Sequence, residues 1–455
     1  MANSLSLTPQ ITSELDSLRA ASQWRELIGR IDILRDELGP LPELLFRSGF
    51  ASAQVEDFHR AHRLMADALL SEFNPDWLPW LAAVYDKLNC SLPMWIAAHW
   101  LALNQPERNG VASLYERARA KIIAELELRR LPVTPSAPPE INQAMAHRFN
   151  VKLVEHLQAG DGDKAIEVGE GARLFYPDYQ PLLVNLSIAY KRMNKYEEAG
   201  RVCLHALALD PLGSGVISNF GSMLIAAGSS HDAARLLECG AILFREETSI
   251  WSNLAVSYNN MKVAPWEAEL AARRAIALDD KLAASWSALA GALCRQGRME
   301  ESLEASRMVG SLEPLRKNES LFNLNYSSSL SVEEISVAHF EAAEARLGRY
   351  YRDQIFDNDR NPNKRLRVGF ISGDLLGHPV AYFMEPIFEH LPKFCDVFVY
   401  HNRPAPEEDV VSETIKAYPL KWRNIAELSD EVAHKLLLED EIDVLVDLSG
   451  HTAYH

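Results

Sequence analysis

Small side chains recur at a nearly constant interval through the middle of the chain. The steps between them are 34, 34, 35 and 34 residues. Upstream lie an aromatic or apolar residue, a leucine and another small residue, as in 251–255 and 286–290. A fixed period of this length indicates stacked helix pairs, because each unit buries its apolar face against its neighbours. The recurring positions are Ala165, Ala199, Ala233, Ala268 and Ser302.

A turn position follows each of these small residues at a distance of 12 residues. Together with the period, this pattern resembles the tetratricopeptide repeat, in which small residues let the two helices of a unit approach closely. We therefore expect an α-solenoid of five repeats over about residues 141–316. The turn positions are Pro177, Pro211, Arg245, Asp280 and Pro314.

The N-terminal part of the chain also has helical apolar spacing. Residues 1–130 are predicted to be helical and to contain degenerate repeats, and the proline-rich residues 131–140 are predicted to form a stiff linker. His59 and His62 lie three residues apart on a predicted helix. Without a neighbouring cysteine or carboxylate cluster they do not make a metal site, and none is predicted.

The hydrophobic pattern changes class after the repeats. A capping box at Ser331–Glu334 predicts a helix within a connector at 317–363, and residues 364–455 alternate strands with helices. Such alternation is typical of βαβ units, so a partial Rossmann-like parallel sheet is expected. The predicted strands are Leu366–Ser372, Cys395–His401 and Ile442–Leu448.

Composition narrows the functional classes. Lys plus Arg number 46 against 63 Asp plus Glu, a formal charge of −17. Binding to nucleic acid or to anionic membranes relies on clustered cations, so neither partner is expected. The N-terminus does not resemble a secretory signal, no apolar run is long enough to span a membrane, and the five scattered cysteines suit reduced thiols. We therefore expect a cytoplasmic protein.

Two loops that follow predicted strands could carry chemistry. The loop after the first strand contains His378 before a helix that begins with Pro379, and the loop after the last strand contains His451. Loops at the carboxyl ends of parallel strands face one ligand crevice, so both histidines are expected at the same sheet edge. A histidine there can act as a base or as a hydrogen-bond donor. The glycine spacing is not GxGxxG, so a dinucleotide site is not supported.

Three stretches in this order resemble one known family. They are the connector 324–345 (LNYSSSLSVEEISVAHFEAAEA), the strand–loop–helix 366–391 (LRVGFISGDLLGHPVAYFMEPIFEHL) and the strand–loop 444–452 (VLVDLSGHT). They are similar to the start of the catalytic region in the O-GlcNAc transferase/SPINDLY family, where repeats, connector and catalytic region also follow one another.

The resemblance implies an inverting glycosyltransferase with two Rossmann-like halves, the GT-B fold. Such an enzyme transfers GlcNAc, or sometimes fucose, from a nucleotide sugar such as UDP-GlcNAc to Ser or Thr of proteins, with no metal or other cofactor. It also implies catalytic roles for His378, His451 and Asp374. Gly373–Leu375 departs from the serine-aspartate-phenylalanine turn that is usual in the family.

Asparagine recurs within the repeats. Asn185, Asn219 and Asn253 occupy one position of the first helix at intervals of 34 residues, and Val151 and Ala288 end the series. Equal positions stack in a solenoid, and an amide both donates and accepts, so such a ladder can bind an extended peptide backbone. The family uses a ladder of this kind to hold protein substrates. Asparagine at this position could also serve local packing alone.

Only 90 residues follow from Leu366 to the last residue. We therefore expect that these 455 residues lack the donor-binding half of the enzyme and are inactive alone. The alternative is a non-catalytic tetratricopeptide-repeat module that binds proteins. A plain scaffold with a small α/β cap would leave the ordered motifs unexplained.

Overall fold

The computed structural model describes residues 7–131, 143–262, 264–313, 321–348, 356 and 358–449. The chain divides into two compact units, residues 1–330 and 331–455, which we call the repeat unit and the sheet unit. Most of the predicted linker 131–140 falls outside the described residues, so its conformation stays a prediction, as do the other sequence-based domain boundaries. Within the described residues no helix is both long and apolar enough to cross a membrane.

Seven helices precede the repeats. Asp57 caps the fourth of them by accepting a hydrogen bond from the backbone N–H of Arg60, which satisfies one of the free amides at the helix start. Trp77 stacks on Phe46 with ring centroids 4.6 Å apart, so this tryptophan belongs to the packing of the helices. The helices are α1 (Pro9–Ala20), α2 (Trp24–Leu38), α3 (Pro42–Gln54), α4 (Phe58–Ser71), α5 (Leu78–Lys87), α6 (Ser91–Asn104) and α7 (Val111–Leu128).

Five helix pairs follow, which confirms the predicted solenoid. We call the first helix of each pair the A helix and the second the B helix. The pairs are α8 (Gln143–Gln158) with α9 (Gly162–Arg173), α10 (Gln180–Arg192) with α11 (Tyr196–Leu209), α12 (Ser214–Ala226) with α13 (Ser230–Leu243), α14 (Thr248–Met261) with α15 (Pro265–Leu278), and α16 (Ala283–Arg295) with α17 (Met299–Leu312). A short helix, α18 (Leu321–Leu324), comes next.

The turn between A and B helices explains part of the period. Gly160, Asn194, Gly228 and Gly297 all have φ between 57° and 79°, the left-handed region that ends helices. Glycine enters this region without strain, and asparagine tolerates it better than most residues. Lys262 takes the corresponding role after α14, with φ of 61°.

Tyrosines near the end of two A helices form equivalent bonds. The hydroxyl of Tyr190 donates to Glu170 at 2.6 Å, and that of Tyr258 donates to Glu238 at 2.8 Å. Each bond joins an A helix to the B helix of the preceding repeat. The tyrosines therefore lock neighbouring repeats in register, in addition to burying apolar surface.

The N-terminal helices pack on the outer, B-helix side of the repeats. Helices α4 and α6 contact α13, α7 contacts α11, and one hydrophobic core extends from Ala61 to Ala305. Ten of the 14 residues of α13 are buried, against four of 14 in α15. The block α3–α7 is therefore part of the same folded body as the solenoid.

Arg245 fastens this block to the repeats. It occupies a turn position where other repeats carry proline, and its guanidinium donates to the carbonyl oxygens of Leu69, Leu70 and Ser71 at 2.9, 2.8 and 3.3 Å. These carbonyls belong to the last turn of α4 and have no partner within that helix. A proline could not supply these bonds, so the departure from the repeat pattern has a structural reason.

The sheet unit begins with a helix, α19 (Val332–Leu347), and the capping box predicted for it is present between Ser331 and Glu334. The sheet has four parallel strands in the order β3-β2-β1-β4. Three of these strands were predicted, and the expectation of only three is wrong. The missed strand β3 is short and carries two cations, so it lacks the apolar run expected of a strand. The strands are β1 (Arg367–Ser372), β2 (Asp396–His401), β3 (Lys421–Asn424) and β4 (Val444–Asp447).

Helices cover both faces of this sheet. Phe370, Val397 and Val399 pack with residues of the helices after β1 and β2 on one face, and Phe398 and Tyr400 pack toward the last helix on the other. The resulting three layers confirm the Rossmann-like class. These helices are α20 (Pro379–His390), α21 (Val410–Lys416) and α22 (Asp430–Glu439).

Candidate functional site

The two motif loops meet at the point where the strand order reverses. Strands β2 and β3 extend to one side of β1 and β4 lies on its other side, so the crevice between β1 and β4 is a topological switch point. The backbone N–H of Gly373 faces the Ser449 hydroxyl oxygen at 3.4 Å, and Leu448 donates to the carbonyl of Ile371 at 3.0 Å. Ligands of open α/β sheets bind at such a crevice.

Asp374 lies beneath the loop surface. It is 3% exposed, and its carboxylate is 3.6 Å from the guanidinium of Arg403. The Nε of Arg403 also donates to the carbonyl of Gly373 at 2.7 Å. Burial of an ion pair is favourable only when further hydrogen bonds satisfy it, as here. Arg403 therefore ties the loop after β1 to the end of β2.

His378 is the N-cap of α20. Its Nδ1 accepts a hydrogen bond from the backbone N–H of Val380 at 3.3 Å, so this nitrogen carries no proton in that arrangement. The neutral ring then has its proton on Nε2, which becomes a donor. Of the two roles that the sequence left open, the capping geometry favours a hydrogen-bond donor over a base.

Asp409 holds the other end of the loop. Its carboxylate accepts from the N–H of Gly377 at 2.7 Å and from Val411 and Ser412 at the start of α21. These backbone bonds, with the one from Gly377 strongest, lower the pKa of Asp409. The residues immediately before His378 are thus fixed to a second helix.

His401 ends β2 without solvent exposure. Burial lowers its pKa and favours the neutral ring, which lies 4.8 Å from the Trp422 ring. Its Nε2 is 3.9 Å from Glu408, whose carboxylate binds Lys416 at 2.5 Å. No group of three or more metal-ligating side chains occurs in the described part of the chain. We assign His401 to the core behind the loop.

The asparagines of the repeats are half-buried on the A helices and interact between repeats. Asn185 donates to the Asn150 side chain at 2.9 Å, and Asn253 donates to the hydroxyl and carbonyl oxygens of Ser218 at 3.0 and 3.2 Å. One amide hydrogen or both are used in this way, and the amide oxygens are left as acceptors. Asn219 lies between these two on α12.

The structure brings together some of the expected residues and adds others. Asp374 and His378 lie on one loop, whereas His451 lies outside the described residues. Arg403 and Asp409 were missed, although the rule that strand ends carry function applies to β2 as well as to β1 and β4. His62 of the sequence pair binds Glu238, with 3.0 Å between Nε2 and Oε2.

Five stacked helix pairs and a parallel sheet with a loop crevice define a tetratricopeptide-repeat protein with a Rossmann-like unit. Within this class the chain is similar to SPINDLY and O-GlcNAc transferase proteins over part of its length. A Hordeum vulgare protein named as a probable UDP-N-acetylglucosamine–peptide N-acetylglucosaminyltransferase SPINDLY is 31% identical over 138 residues. The match covers 29% of this chain and 14% of that protein.

Other relatives match similarly short parts. The Arabidopsis thaliana SPINDLY protein is 32% identical over 108 residues, 22% of this chain and 11% of its own. The chain thus spans a small fraction of the curated relatives it matches. No protein-family model matches it.

Solved structures give fold-level likeness only. A variant of the Thermobaculum terrenum O-GlcNAc transferase aligns at 23% identity with a TM-score of 0.35, covering 59% of this chain and 45% of that one. The Pseudomonas aeruginosa pilF structure aligns at 16% identity with a TM-score of 0.37, covering 47% and 94%.

Proposed function

We propose that this chain is part of a protein O-glycosyltransferase of the SPINDLY/O-GlcNAc transferase type. In this proposal the repeats hold a protein acceptor and the loop crevice of the sheet unit takes part in sugar transfer. The observation that carries it is the meeting of both motif loops at the switch point between β1 and β4, marked by the contact between Gly373 and Ser449. Names of the curated relatives support the same reaction.

The chemistry is a group transfer from a nucleotide sugar such as UDP-GlcNAc. The acceptor Ser or Thr oxygen forms a bond to the anomeric carbon, the bond from that carbon to the phosphate oxygen breaks, and the hydroxyl proton leaves. His378 would donate from Nε2 to an oxygen that gains negative charge, which is the effect of an oxyanion-hole donor. The pair Asp374–Arg403 would position the loop rather than touch the substrate. If His451 shares the crevice, it would supply a second imidazole.

The test is a transfer assay with the protein as its own cells produce it. Purified protein is incubated with acceptor proteins from the same cells and with labelled UDP-GlcNAc or GDP-fucose, and mass spectrometry locates the sugar. His378→Ala should lower the rate by about 100-fold or more, since one donor to a developing charge contributes that much. His390→Ala, at the exposed end of the same helix, is the matched control and should leave the rate unchanged.

A second candidate is a non-catalytic module that binds proteins through its repeats. The observation that favours it is that the solenoid and the block α3–α7 share one core without any residue of the sheet unit. Absence of transfer from either donor, together with retained binding of acceptor proteins, would support this candidate over the enzyme.

A further inference from the structure

The A helices of the last four repeats contain no acidic residue. Helices α10, α12, α14 and α16 have no Asp or Glu at any position, although the chain carries a formal charge of −17. Each of their partner B helices carries two or three carboxylates. We call the surface formed by α10, α12, α14 and α16 the A-helix face.

The charges that this face does carry are all positive. They are Lys191 and Arg192, the last two residues of α10, and Arg295, the last residue of α16. Arg192 and Arg295 are exposed, whereas Lys191 is half-buried and donates to the Ser222 hydroxyl of the next A helix at 2.7 Å. Equal positions stack along a solenoid, so these cations lie along one edge of the face.

The opposite ends of the A helices hold two acids that are already engaged. Asp210 accepts a hydrogen bond from Gln180 at 3.1 Å, and Glu247 accepts one from Ser214 at 3.2 Å. Each joins the start of one A helix to the next repeat. They serve the stacking of repeats, and the edge with Arg192 and Arg295 stays free of carboxylates.

The other side of the solenoid is occupied in its middle. Helices α4 and α6 cover α13, and Arg245 fastens α4 there. A segment that binds across consecutive repeats therefore has the A-helix face as its continuous surface. That face also presents Asn185, Asn219 and Asn253, whose amides suit an extended backbone.

We infer that the A-helix face selects extended protein segments with net negative charge. The inference rests on the proposed function in that the repeats hold the acceptor, and it names the class of acceptor. A basic segment finds no carboxylate on this face and meets three cations. The remaining negative charges of the chain act weakly, because salt screens exposed charges beyond about 8 Å at physiological ionic strength.

The geometry sets the length of such a segment. Neighbouring packed helices lie about 8–10 Å apart, so α10 and α16 are separated by roughly 25–30 Å. An extended chain advances about 3.3 Å per residue, so about eight residues connect the two cationic ends. Three cations over this length are too few for a phosphate polymer, which favours a peptide over a nucleic acid.

The test compares three 12-residue peptides around a central serine that differ only in having Glu, Gln or Lys at four positions. Fluorescence anisotropy with the full chain should give the order Glu, Gln, Lys, with about tenfold between the ends, because each exposed charge pair contributes less than one tenfold step. The difference should shrink at about 0.5 M salt. Equal or tighter binding of the Lys peptide would overturn the inference.

Two variants locate the effect. Arg295→Glu should reduce binding of the Glu peptide and leave the Gln peptide nearly unchanged. Arg307→Glu, which makes the same charge change on the B helix α17, should leave both unchanged. Equal effects of the two variants would mean that net charge rather than the A-helix face is responsible.

Further outcomes separate this inference from the proposed function. If all three peptides bind equally and Asn185→Ala with Asn253→Ala weakens them all, the charge preference is refuted but acceptor binding by the repeats stands. If no peptide binds, both fail. A 12-nucleotide single strand that binds more tightly than the Glu peptide, and loses affinity with Arg295→Glu, would also overturn the inference.

Discussion

The repeat unit and the sheet unit treat apolar surface in opposite ways. The repeat unit has one core that reaches from its N-terminal block into the fifth repeat. The sheet unit has two small clusters on either side of four strands, and it leaves Phe383 and Phe394 more than 70% exposed. Its edge strand β4 exposes Val444 and Leu445 as well.

The difference lies in how each architecture closes. A solenoid buries every new helix pair against the one before, and here the block α3–α7 adds a second layer over α13. A parallel sheet has two edges, and each edge presents unpaired backbone groups. The repeat unit should therefore be the more stable of the two, and single substitutions should affect the two units separately.

The largest expected effect concerns the small core of the sheet unit. Phe388→Ala should destabilise this unit by about 3–5 kcal/mol, because a fully buried aromatic ring is lost. Phe383→Ala on the same helix is the control and should change stability by less than about 0.5 kcal/mol. Denaturant unfolding, followed by hydrogen exchange in each unit, should show the loss only after residue 331. A shared loss would refute the independence of the units.

The second prediction tests the attachment of the N-terminal block. Arg245→Ala removes three hydrogen bonds to the end of α4 and should cost about 2–3 kcal/mol. Amide exchange in α4 and α13 should accelerate before that in α16. Arg274→Ala, with a more exposed guanidinium nearby, should have a much smaller effect. Unchanged exchange in α4 would show that apolar packing alone holds the block.

The third prediction concerns pH. Burial, together with Glu238, raises the pKa of Asp67 to about 7. The folded repeat unit thus keeps a proton that the unfolded chain loses near pH 4. Asp67 therefore destabilises the fold increasingly as pH rises from about 4 to 7, and fully above 7.

Asp67→Asn should remove this loss and stabilise the repeat unit by about 1–2 kcal/mol at pH 8 relative to pH 5. Urea unfolding at both pH values measures the difference. Asp36→Asn, on the exposed side of α2, should show no such dependence. The groups facing Asp67 include His62, Arg63 and Glu267, so their charges belong in the same comparison.

The smallest effect on folding free energy is expected at the sheet edge. Leu445→Lys should change stability by less than about 0.5 kcal/mol but raise the protein concentration at which aggregation begins, since a charged edge strand pairs poorly with another edge. Val410→Lys, at an exposed helix start, is the control. Light scattering against concentration is the measurement, and equal gains from both variants would contradict a role for the edge.

The sequence was most informative where a pattern repeats. The period predicted the solenoid, and the alternation after residue 364 predicted the α/β class. The strand β3 was missed because two of its four residues, Lys421 and Arg423, are charged and it pairs on one side only. Strength of pairing by a short edge strand comes from its neighbour, which no local pattern records.

The candidate site was predictable in part for a related reason. His378 and Asp374 lie in a loop with a recognisable motif, so the sequence identified them. Arg403 lies 29 residues later and reaches them only because β2 pairs with β1. The docking of α4 on α13 also joins residues more than 170 apart, as in the bonds of Arg245, and no repeat pattern encodes it.

The docking of α4 and α6 on α13 has a mechanical consequence. A solenoid whose repeats contact only their neighbours bends like a spring, since small rotations at each junction add up. Here a second layer of helices spans the outside of the middle repeats and acts as a splint across those junctions. Stretching and bending should therefore concentrate at the junctions after α14, where α15 and α17 have no such cover among the described residues, so the spring is stiff at one end and compliant at the other.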